Sequence, residues 1–163
     1  MKKIECVLML SGLIGTSLCF ADTQPMQVNQ IFAQAGGSAP LFGSAAGMQT
    51  LALLGYRYMP SWYFLEADVG GWAGSRHSGI AAGLAGLDYK DLSAGIGPGG
   101  ITDTSSSLGT HFQFLSSLRW TFNPYPVYIA YNHVSNGSGI FSWGKDKPND
   151  GENFFSLGYT YSF

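Results

Sequence analysis

Near the C-terminus a histidine and a serine stand two residues apart, in the run His133-Val134-Ser135-Asn136-Gly137. On a β-strand, residues two apart share a face with Cα atoms roughly 7 Å apart. An imidazole at that spacing can reach a hydroxyl. Serine is a weak nucleophile until a neighbouring base takes its proton. Asn136, Gly137 and Ser138 follow directly, and an asparagine amide and turn N–H groups are suitable donors to an oxyanion. The chemistry these types suggest is nucleophilic catalysis by a base-activated serine. The bland reading is a strand-to-turn junction, since His-x-Ser before Asn-Gly is a common short pattern. His77 and His111 have no second ligand at metal spacing, so they read as structural or solvated, His111 with interior parity.

Such a pair needs an element to hold it. The chain has 163 residues with 11% charged, 15% aromatic and 23 glycines. Soluble domains carry about 25% charged residues, so this composition points to a sheet protein in contact with lipid. A net charge of −2 gives no footing for nucleic-acid binding. Lys2 and Lys3 followed by an apolar Val7–Phe20 and the small-x-small Cys19-Phe20-Ala21 read as a signal peptide over residues 1–21. Its removal would leave 142 of the 163 residues as one barrel domain, 22–163. Both cysteines, Cys6 and Cys19, would leave with it, which excludes disulfides and thiol chemistry.

Past Ala21 no stretch approaches ~20 consecutive apolar residues, so a membrane location requires a closed barrel. Eight alternating runs are present: Gln27–Ala35, Met48–Tyr58, Trp62–Trp72, His77–Tyr89, Leu92–Gly100, Leu108–Phe122, Tyr125–Ser135 and Asn153–Phe163. The sixth sets Leu108, Phe112, Phe114, Leu118, Trp120 and Phe122 against His111, Gln113, Ser117, Arg119 and Thr121. In a membrane barrel the apolar face turns outward. Glu66 and Asp68 then meet Arg57 and Arg119 inside, as a satisfied interior network rather than catalysts. Links at Met59-Pro60-Ser61, Lys90-Asp91 and Asn123-Pro124 are tight, and those at Gly36–Gly47, Ile101–Ser107 and Asn136–Glu152 are longer. Short turns face the periplasm, so the last link is extracellular. The expected fold is all-β, an eight-stranded antiparallel transmembrane barrel. A lipocalin-like soluble barrel competes, but would keep its apolar residues inside. The terminal run, with Phe155, Leu157, Tyr159, Tyr161 and Phe163 on one face, favours the membrane version.

Parity in the seventh run puts Val127, Ile129, Tyr131, His133 and Ser135 on the lipid side. Polar groups there are unfavourable away from the interface, which argues for a function on the barrel's outer wall. Parity read back from Phe155 turns Asn153 outward and Glu152 inward, unless a bulge shifts the strand start.

The run His133-Val134-Ser135-Asn136, followed by Pro148-Asn149-Asp150-Gly151 and a short final strand, resembles the lipid A 3-O-deacylases, outer-membrane acyl hydrolases of Gram-negative bacteria. The likeness extends through Leu92-Ser93-Ala94-Gly95-Ile96-Gly97, Ser107-Leu108-Gly109-Thr110 and His77-Ser78, over roughly the last half of the chain. The resemblance implies a serine esterase that releases the 3-O-linked acyl chain of lipid A. It makes Ser135 the nucleophile, His133 the base, and Asn136 with Gly137 the oxyanion site. No metal or cofactor is implied. The partners are lipid A and the outer membrane; whether two copies form a homodimer stays open. Two departures stand out. The loop before Pro148 is longer and adds Phe141, Trp143, Lys145 and Lys147. These are either an ordinary solvated loop or interfacial aromatics with lysines for lipid A phosphates. Also, the family's histidine-orienting acid falls here at Asn153, with Glu152 one step earlier. Either residue could complete the site. The alternative is a catalytically degenerate structural or adhesive barrel.

Overall fold

The computed structural model describes residues 4–7, 18–21, 28–38, 47–137 and 146–163. Strands β1 (Ile4–Val7) and β2 (Leu18–Ala21) pair antiparallel as a separate ladder. The next eight close a barrel: β3 (Val28–Ser38), β4 (Gln49–Met59), β5 (Tyr63–Gly74), β6 (Ser78–Tyr89), β7 (Leu92–Ile101), β8 (Phe112–Thr121), β9 (Val127–Ser135) and β10 (Glu152–Ser162). Each pairs antiparallel with its sequence neighbours, and β10 closes on β3. The runs expected from alternation fall on these strands within a few residues, apart from the start of β8.

The distribution of side chains is that of a membrane barrel. Leu54, Leu65, Val69, Ile96, Trp120 and Leu157 stand on the outer wall, each at least half exposed. Arg57, Glu66, Asp68 and Arg119 are buried in the lumen. A soluble barrel has the opposite arrangement. Eight strands enclose a space just wide enough for side chains, and here they fill it. Leu51, Leu53, Trp72, Leu115, Val134 and Phe154 form an apolar plug toward the long-loop end. Below it Glu66 binds Arg57 at 2.5 Å and Arg119 at 3.4 Å. The Arg119 guanidinium also lies over Phe32 and Tyr128, 4.2 and 4.1 Å from the ring centroids.

Three expectations need correction. Asp68 forms no ion pair among the described residues; Glu66 takes both arginines, and Arg57 reaches Asp88 at 3.8 Å instead. Leu108 is not on the lipid face. It lies before β8, fully buried, and bridges Asn149. His111 is exposed rather than interior, with Nδ1 3.0 Å from the Ile101 carbonyl oxygen. Both errors have one cause: β8 begins at Phe112, so strand parity does not extend back to residues 108–111.

Tight turns follow β4, β6 and β8, at the same end as Val28 and Ser162. The links after β3, β5, β7 and β9 lie at the other end. The end of β9 and the start of β10 therefore sit together at the rim opposite the chain's barrel termini.

Candidate active site on the outer wall

The β9–β10 ladder sets His133 directly opposite Asn153 and Tyr131 opposite Phe155. On the other side of β9, β8 sets Ser116 opposite His133 and Phe114 opposite Ser135. Buried Tyr128, Ala130, Asn132 and Val134 fill the alternate positions of β9. Tyr131, His133 and Ser135 thus line the outer wall in one row and are each half-buried.

The Asn153 side chain joins this row. His133 Nδ1 lies 2.7 Å from Asn153 Oδ1, and the Tyr131 hydroxyl donates to the same oxygen at 2.5 Å. Asn153 faces outward yet is only 1% exposed, so its amide must be satisfied by protein groups. When the imidazole donates from Nδ1, Nε2 keeps its lone pair, the state a general base requires. Ser135 shares the face one repeat nearer the loop. Among the described residues no hydrogen bond joins Ser135 to His133; such bonds are often loose before substrate binds.

Glu152 is on the opposite face. It is fully buried in the lumen, where its carboxylate accepts from Arg76 at 2.9 Å, Ser107 Oγ at 2.6 Å and Gln49 Nε2 at 3.2 Å. Arg76 also donates to Ser107. The start of β10 has no bulge that would turn Glu152 toward His133, because Glu152 pairs with Val134 in the step next to Asn153 and His133.

Beyond Ser135 the chain turns at Asn136 and Gly137, the latter with φ of 68°. The Asn136 N–H donates to Asn149 Oδ1 at 2.8 Å and its amide to the Pro148 carbonyl at 3.1 Å. Gly109 N–H donates to that carbonyl too, at 3.0 Å. Asn136 is buried and ties the turn to the segment leading into β10. Residues 138–145, including Gly139, Phe141, Trp143 and Lys145, lie outside the described residues; Lys147 is exposed.

Two residues were not singled out from the sequence. Gly151 has φ of 73°, and a Cβ there would lie 2.6 Å from His133 Cε1. The imidazole therefore rests where only glycine leaves room. The signal was present as the Asn149-Asp150-Gly151 turn, but its closeness to His133 depends on pairing. Tyr131 shares the parity of His133, which marked its face and not its hydrogen bond.

The apolar outer wall and the charged network buried in the lumen define a membrane-spanning β-barrel, and the His133 row is a polar cluster set into its lipid-facing side. The family model described as Lipid A 3-O-deacylase (PagL) matches residues 52–162, and the chain belongs to that family. No curated protein and no solved structure matches it. Family membership makes the protein an outer-membrane barrel, with ester hydrolysis on lipid A as its activity.

Proposed function

We propose that the chain is a serine esterase that hydrolyses the 3-O-linked acyl ester of lipid A, with its chemistry on the outer wall at the extracellular rim. The observation that carries this reading is the His133–Asn153 hydrogen bond beside Ser135 on a lipid-facing row. A substrate held in the outer leaflet meets that row without entering the filled lumen.

In this reading Ser135 Oγ attacks the ester carbonyl carbon while His133 Nε2 takes its proton. The tetrahedral oxyanion is held at the Asn136–Gly137 turn. The bonds from Asn136 to Asn149 and Pro148 keep the turn in shape, and the Gly137 N–H serves as a donor to the oxyanion beside Asn136. Collapse breaks the bond to the sugar oxygen, which leaves as a hydroxyl with the proton from His133. Water then attacks the acyl-serine by the reverse proton route and frees the fatty acid. Asn153 orients the imidazole in place of an acid. Glu152 acts from the lumen as an anchor. Residues 1–21 serve as the export signal, so the mature chain would begin at Asp22 on N-terminal sequencing.

Incubated in detergent with lipid A, the purified protein should remove one hydroxyacyl chain, read by mass spectrometry. Wild type that leaves lipid A intact, or Ser135→Ala as active as wild type, would refute the mechanism. The neutral residue at 153 also motivates the reading of a barrel without chemistry. A fluorophosphonate probe separates the two, because only a working site labels Ser135. Crosslinking in native membranes tests whether the barrel pairs as a homodimer.

A further inference from the structure

The geometry points to Tyr131 as a positioning residue that fixes the sense of the Asn153 amide; the inference rests on the esterase reading above. A carboxylate presents an acceptor whichever way it rotates. An amide presents oxygen on one side and NH2 on the other. With its oxygen toward the imidazole, Nδ1–H donates and Nε2 remains a base. With its NH2 toward the imidazole, Nδ1 must accept, the proton sits on Nε2, and the base is lost. His133 cannot decide between these by itself, because a neutral imidazole satisfies either by changing tautomer. The wrong tautomer behind an amide costs on the order of 10⁴ in turnover in a serine triad.

Tyr131 removes the degeneracy. Its hydroxyl reaches the same Oδ1 that faces His133, at 2.5 Å. A phenol oxygen shares its lone pair with the ring and donates better than it accepts. Flipping the amide would exchange a strong O–H···O bond for a weak one from the NH2. With Asn153 1% exposed, water has little access to make up the difference. Tyr131 is itself held: its ring lies 5.3 Å from that of Phe155, its partner across the ladder. A neutral orienter in this chain is thus accompanied by a donor that gives the amide one orientation.

The test is a double-mutant cycle on detergent-solubilised lipid A. Tyr131→Phe keeps the ring contact with Phe155 and removes only the hydroxyl. It should lower kcat about tenfold with KM changed by less than about twofold. Added to Asn153→Asp, it should lower kcat by less than about threefold, because a carboxylate has no wrong side. Equal losses in both backgrounds, or no loss in the wild-type background, would overturn the inference. ¹⁵N NMR of His133 is a second readout that needs neither turnover nor the Asp variant. Wild type should show the Nδ1–H tautomer, and Tyr131→Phe should gain the Nε2–H form; the same tautomer in both overturns the proposal. Ser135→Ala separates the two levels. If it stays active, the esterase reading fails. If it is silent while Tyr131→Phe is neutral, only the role of Tyr131 fails.

Discussion

Glu152 points into the lumen and Asn153 onto the outer wall, and their partners differ in kind. The glutamate is fully buried among Arg76, Ser107 and Gln49, drawn from three other stretches of the chain. The asparagine meets His133 and Tyr131, both from β9. A charge can be kept in the lumen because a guanidinium pairs with it. On the wall, an unpaired carboxylate beside lipid would be costly, and a neutral amide is easier to hold there. The comparison teaches that strand pleat sends one neighbour into the luminal charge network and sets the next beside His133, in the proposed site.

Several substitutions test that division. Ser135→Ala and His133→Ala should each lower lipid A hydrolysis by more than about 10³-fold. Both should leave the heat-modifiable gel migration of the folded barrel unchanged. Glu152→Ala should cost about 3–5 kcal/mol, because it leaves Arg76 uncompensated beside a buried serine. Urea unfolding from detergent would read that loss. Asn153→Ala should cost about 1–2 kcal/mol in the same experiment, the worth of its two hydrogen bonds to half-buried partners, while turnover falls about a hundredfold through loss of the orienting group. Equal stability losses at 152 and 153 would break the comparison.

Gly151→Ala probes the boundary between the two sides. A Cβ there meets His133 Cε1, and the positive φ is strained for alanine. The expected cost is about 1–2 kcal/mol of stability, together with a fall in kcat of about tenfold as the imidazole shifts. The smallest effect should be a gain. Asn153→Asp should raise kcat about tenfold, because a charged acceptor binds imidazolium more strongly than an amide does. No gain would mean that burial of the carboxylate outweighs its benefit.

Much of this was legible in the chain. Period-two alternation marked eight strands, the greasy wall and the outward row of His133 and Ser135. Read back from Phe155, the same parity turned Asn153 out and Glu152 in, as the ladder has them. Legibility ended where the strand pattern did. Leu108 and His111 were misassigned because they precede β8 and obey no pleat. Asp68 was expected to share the arginines, but alternation names a face and not a partner. The charge network behind Glu152 was also hidden, since Arg76 and Ser107 lie in separate loops.

The sequence by itself determined which residues face lipid and which face the lumen, because each strand's side chains alternate regardless of its neighbours. The register between β9 and β10 was decided by the tertiary structure alone. Those strands are joined by a long loop, and alternation within each leaves any even-numbered slip open. Pairing of β9 with β10 in that register brought Asn153 opposite His133, Gly151 under the imidazole, and the Tyr131 hydroxyl onto the amide oxygen.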